Sequence, residues 1–94
     1  MKKEQIERNI RKAMIEAAKA VRKGNYPFGC VATDTEGNII AAAYNTVNQS
    51  CDPTAHAEIN LLRALARKLR QVKFNDCHVF INTEPCSMCA SALI

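Results

Sequence analysis

Four side chains in this sequence have the types and spacing of a catalytic metal centre: His56 and Glu58 flanking Ala57, and the pair Cys86 and Cys89 that follows Pro85. A catalytic zinc takes three protein ligands and keeps a fourth position for water. His56, Cys86 and Cys89 would supply one imidazole and two thiolates. The thiolates cancel the charge of Zn²⁺ and a neutral imidazole adds none, so the ion still lowers the pKa of its water towards about 7 and makes hydroxide available at neutral pH. Glu58 is then a proton carrier, not a ligand. It takes the water proton, passes it to the substrate and later protonates the leaving group.

A Cys-x-x-Cys pair alone is a weak signal, equally at home in structural zinc sites and redox motifs. His-x-Glu upstream of Pro-Cys-x-x-Cys is much more specific. It is the joint signature of zinc-dependent hydrolytic deaminases, in which water attacks the ring carbon bearing an exocyclic amine and ammonia departs. The rival reading is a non-catalytic, zinc-stabilised fragment or interaction module; Glu58 speaks against it, because a structural zinc needs no carboxylate beside its ligands. The remaining candidates have plainer explanations. His78 reads as a packed or hydrogen-bonded strand residue rather than a fourth ligand. Cys30 and Cys77 read as buried small hydrophobes, and Met14 and Met88 as core-facing filler. Cys51, five residues before His56, either lines the site or packs in its loop. Asn45, by propensity alone, is a turn former.

Positioning these groups is the task of the surrounding elements. Pro85 opens a helix whose first turn carries both thiols, where the macrodipole favours thiolate. Asp52-Pro53 reads as an N-cap and first helical residue, with Leu61, Leu62, Leu65, Ala66 and Leu69 as the apolar face of a helix to about Arg70. On a regular helix His56 and Glu58 would diverge by about 200°. First-turn side chains tilt towards the N-terminus, however, and can converge beyond the helix end. Ile6, Ile10, Ala13, Met14, Ala17 and Val21 mark residues 3 to 23 as an amphipathic helix. Segments 28 to 33 and 38 to 47 read as antiparallel strands around Asp34-Thr35-Glu36-Gly37, and 77 to 82 as a third strand apolar on both faces. The order is helix, strand, strand, helix, strand, helix: an α/β class in one domain over residues 1 to 94. Because no parallel strand follows the last helix, the sequence reads as incomplete at its C-terminus.

At 94 residues and 48% apolar, the chain supports one small core and is not disordered. Five cysteines without a secretory signal favour a reducing, cytoplasmic setting, and no segment is apolar enough to span a membrane. The formal charge of +4 is concentrated in the first helix. There Glu4 with Arg8 and Glu7 with Arg11 stand at the spacing of a solvated face, with a phosphate-facing role as the lesser reading.

On these residues the sequence resembles the cytidine and deoxycytidylate deaminase superfamily, in its purine and nucleobase branch, which includes guanine deaminases and tRNA adenosine deaminases. The resemblance is carried by Tyr26-Pro27-Phe28-Gly29, with Cys30 where the family usually has Ala. It continues through Asn45, Asp52 to Asn60, and Thr83-Glu84-Pro85-Cys86-Ser87-Met88-Cys89-Ala90. It implies a three-layer α/β/α fold around a mixed five-stranded sheet, of which three strands are represented. It also implies Zn²⁺ on His56, Cys86 and Cys89, Glu58 as the catalytic acid and base, Asn45 and Ala57 as substrate-binding residues, and a homodimer. Pro-Phe-Gly with Asn45-Thr46-Val47 is more similar to the guanine deaminases than to the tRNA enzymes. A small nucleobase or nucleoside is therefore the expected partner, ahead of nucleic acid.

Overall fold

The computed structural model describes residues 2–82 and 92–93, and within them the α/β class holds. In chain order the elements are α1 (Lys3–Arg22), β1 (Gly29–Thr33), β2 (Ile39–Tyr44), a single turn α2 (Val47–Ser50), α3 (Ala57–Leu69) and β3 (His78–Ile81). The helix expected from Pro85 lies outside the described residues. β1 is the central strand of the order β2-β1-β3, and pairs antiparallel with both neighbours. The outer strands consequently run in the same direction, with α3 in the connection between them.

Alternation along β1 divides the molecule into three layers. Cys30 and Ala32 face α3, packing with Ala57, Leu61 and Leu65 in a core sealed by Phe28, Ile40, Val79 and Ile81. Gly29 faces α1 at such close range that a Cβ there would lie 2.4 Å from Ala17 N and 2.5 Å from Ala13 O. All five residues of β1 are buried, which accounts for its unbroken apolar run. The hairpin after it is tied by Asp34 Oδ1, which accepts the Glu36 and Asn38 N–H groups at 2.9 Å each. Gly37 supplies the positive φ of 90° that closes the turn. These bonds, that from Asn38 foremost, hold the Asp34 carboxyl below its ordinary value of 3.8.

Two expectations are corrected. The buried stripe of α1 is Asn9, Ala13, Glu16, Ala17 and Ala20, whereas Ile6, Ile10, Met14 and Val21 are 38–57% exposed. Those large residues lie on a flank roughly 80° further round the helix. The reason is the close approach at Gly29: only small side chains fit beneath α1, so the apolar stripe read from residue size is displaced from the true contact. Met14 is accordingly not core filler. Second, the helix that carries the site begins at Ala57, not at Pro53. Asp52 Oδ1 is spent instead on the Thr54 N–H at 2.9 Å and hydroxyl at 2.7 Å, which form a turn ahead of the helix. The solvated face read from Glu4, Glu7, Arg8 and Arg11 is exposed as expected. On α1 it is Glu16, 4% exposed, that draws Lys12 and Lys19 to 3.1 and 3.0 Å, and the bonded Glu16 raises the Lys19 pKa.

Among the smaller assignments, Cys30 is buried as expected, Cys77 is only half-buried and Cys51 is exposed. His78 is exposed at the start of β3, opposite Thr33. Val79, Phe80 and Ile81 are half-buried, and among the described residues β1 is the one strand beside them.

Candidate active site

His56 occupies the N-cap of α3 in extended conformation, φ −69° and ψ 159°. It is therefore not on the helix, and the divergence of two helical residues does not arise. Glu58 stands in the first turn and is 4% exposed. Its burial follows from its place in the pattern: Ala57, Glu58, Leu61 and Leu65 are the buried face of α3, so the carboxylate begins the stripe that packs on the sheet. The ion pairs among the described residues are Lys12–Glu16, Lys19–Glu16 and Arg63–Asp52, and none reaches Glu58. A buried carboxylate costs several kcal/mol in lost solvation. A helix N-terminus offsets at most about 2 kcal/mol of that. A cation bound beside Glu58 would offset such a cost, and an acid next to the imidazole of His56 is a donor set that suits one.

Ala57 is fully buried and belongs to the core cluster. Its side chain is committed to packing, and its main-chain N–H is one of the first-turn donors without an intrahelical acceptor. Asn45, 2% exposed, follows β2, where its own N–H donates to Phe28 O at 2.9 Å. Its Oδ1 accepts the Val47 N–H at 3.0 Å, which fixes the amide orientation. The turn-forming role read from propensity is thus real.

Cys86 and Cys89 lie outside the described residues. Among the described residues no group of three His, Cys, Asp or Glu side chains is placed to hold a metal. Asn45, Ala57 and Glu58 are brought to one end of the sheet by the segment from β2 to α3. A separate cavity of ≈ 770 Å³ lies between α3, the loop before β3 and β3 itself, lined by Leu62, Leu65, Val72, Phe74 and Val79 among others; of the described site residues, none borders it.

Sequence reasoning overlooked the amides that brace this region. Asn60 Nδ2 donates to Tyr44 O and Thr46 Oγ1 at 2.9 Å each and to Ala55 O at 3.3 Å. Asn82 spans the sheet end, accepting the Gly29 N–H at 3.0 Å and donating to Pro27 O at 3.0 Å. Asn25 exchanges hydrogen bonds with Gln49, tying α2 to the end of α1. The available signal was a polar amide on an otherwise apolar segment, which looks like solvent exposure until its partners are known.

The chain belongs to the family described as the cytidine and deoxycytidylate deaminase zinc-binding region, which matches residues 3–94. It is 38% identical over 85 residues to the tRNA-specific adenosine deaminase of Aquifex aeolicus, covering 90% of this chain and 56% of that protein. The guanine deaminase of Bacillus subtilis is also 38% identical, over 89% of this chain and 54% of its own length. The X-ray structure of Bacillus subtilis guanine deaminase superposes with a TM-score of 0.88 at 36% identity, covering 99% of this chain and 57% of that one. A structure from work on A-to-I editing by tRNA:A34 deaminases gives a TM-score of 0.87 at 32% identity, over 93% and 66%. The chain thus spans about half the length of the curated relatives it matches. No helix among the described residues is long and apolar enough to cross a membrane.

Proposed function

We propose that this chain carries the site of a zinc-dependent hydrolytic deaminase acting on a nucleobase or nucleoside, with a guanine-like purine as the favoured substrate. The observation that carries the reading is Glu58: a buried carboxylate at a helix N-terminus, two residues from His56, beyond reach of the ion pairs of the described residues. A structural metal site has no use for it.

His56, Cys86 and Cys89 would hold the zinc, which when bound supplies a water of lowered pKa. Glu58 would take one proton of the attacking water and pass it to the ring nitrogen as the C–O bond forms, then take the second from the hydroxyl on that carbon and pass it to the exocyclic amine, whose C–N bond breaks to release ammonia. Its burial keeps bulk water from competing for the proton. Asn45 presents its NH₂ group to an acceptor on the base, and the Ala57 N–H offers a second main-chain donor. Equal identity to a guanine deaminase and to a tRNA-specific adenosine deaminase keeps tRNA adenosine as the second reading. The Pro27-Phe28-Gly29 and Asn45-Thr46-Val47 segments favour the guanine-like one. The cysteine usage favours a reducing cytoplasmic setting, and the small core favours a homodimer.

The test is ammonia release from guanine, adenine, cytosine, their nucleosides and tRNA, for the wild-type chain and Glu58→Gln. The variant is expected to keep its zinc and to lose a factor of about 10²–10⁴ in turnover, the usual worth of a positioned acid and base. Retained turnover in Glu58→Gln would remove this residue from the chemistry.

A further inference from the structure

One amide sits at the neck of the loop that joins the two halves of the site. Tyr44 O and Thr46 Oγ1, which bracket Asn45 in the chain, and Ala55 O, which directly precedes His56, all accept from Asn60 Nδ2. One main-chain bond closes the same neck, Thr46 N–H to Ala55 O at 3.0 Å, and Asn60 N–H makes the first-turn bond of α3 to His56 O at 2.9 Å. α3 does not need this clamp to dock, because Leu61 and Leu65 already fix it to the sheet. What the clamp sets is the separation of residues 44–46 from residues 55–56.

We infer that Asn60 is a positioning residue that couples Asn45, on the substrate side, to His56, on the metal side; the assignment rests on the reading of the site given above. The residue type follows from the acceptors. A primary amide has two hydrogens to share among three oxygens, whereas an aspartate of nearly the same shape has none to offer and would set a negative charge against all three. A hydrogen-bonded partner behind a metal ligand typically changes metal affinity or activity by about 10- to 100-fold.

The experiment compares the wild-type chain with Asn60→Ala, Asn60→Asp, Thr46→Val and Thr46→Ser. Zinc affinity is measured by competition with a chromophoric chelator, amide exchange at Thr46 is followed with and without zinc, and KM and kcat are taken for guanine. In the wild type, zinc slows exchange at Thr46. Both Asn60 variants bind zinc about 10- to 100-fold more weakly, lose that slowing, and raise KM more than they lower kcat per bound zinc. Thr46→Val shows part of this effect and Thr46→Ser, which keeps the acceptor oxygen, restores wild-type behaviour. Asn60→Ala with Thr46→Val is no worse than Asn60→Ala alone, because both remove one network. The inference is overturned if Asn60→Ala lowers only the melting temperature and leaves zinc affinity, KM and the zinc effect on Thr46 unchanged. A wild-type chain that bound no zinc would overturn the reading of the site, and this inference with it.

Discussion

Gly29→Ala is the most demanding test of the packing, because its cost comes from backbone and not from a side chain that could turn away. The added Cβ would stand 2.4 Å from Ala17 N, 2.5 Å from Ala13 O and 2.7 Å from Glu16 Cβ. Reaching even the tight limit of 3.0 Å requires α1 and β1 to separate by about 0.6 Å along that contact. That movement opens the seams at Ala13 and Ala20, both fully buried, and at Val31. Overpacking of this kind costs about 1–3 kcal/mol, and a clash with helix backbone belongs at the upper end. A chain of this length has roughly 5–14 kcal/mol of stability. A loss of about 3 kcal/mol then corresponds to a fall of roughly 12–24 °C in melting temperature. Thermal and urea unfolding by circular dichroism, at one fixed zinc concentration, measures it. Gly24→Ala is the control: φ there is 80° but nothing lies within 4 Å, so only the left-handed backbone is penalised, by about 1 kcal/mol. If Gly29→Ala melts within about 3 °C of wild type, or no lower than Gly24→Ala, the close approach of α1 to β1 is refuted.

The corrected face of α1 predicts that Met14→Lys changes stability by less than about 0.5 kcal/mol, as at other exposed positions; a loss above about 2 kcal/mol in urea unfolding would return Met14 to the core. Asp52 is held below its ordinary 3.8 chiefly by the Thr54 hydroxyl and then by the Thr54 N–H, with Arg63 contributing. A depressed carboxyl stabilises the fold above the unfolded value, and that contribution fades as pH falls through the folded one. Unfolding curves between pH 6 and 2 are therefore expected to show a shallower acid limb for Asp52→Asn than for wild type, and coincident limbs would show that the Thr54 bonds do not persist in solution.

The elements were readable where periodicity and turn chemistry agree. Asp34-Thr35-Glu36-Gly37 announced its hairpin because Asp34 and Gly37 satisfy local demands that no distant contact alters. The α1 face misled because its contact is set by Gly29, on another element, and sequence spacing carries no information about how near two backbones come. The start of α3 misled for a related reason: Asp52 and Pro53 make a plausible helix entry, but Asp52 found a nearer partner in Thr54. Of the candidate site, His56 and Glu58 stood out in the sequence by residue type and spacing. Asn60 was not, since the value of its amide depends on three oxygens contributed by residues 5 to 16 positions earlier in the chain.

The two borders of the sheet are chemically unlike. Along β2, Lys68 reaches from α3 to donate to Ile40 O at 2.6 Å, so a strand arriving there would have to displace an ammonium from its carbonyl and strand the charge. Along β3 the border is Val79, Phe80 and Ile81, with no cation among them. Among the described residues, strand addition is therefore resisted along β2, while no cation guards β3. β2, which leads directly into Asn45, is thus the guarded border. A strand pairing along β3 would act two strands away from β2 and leave Asn45 in place.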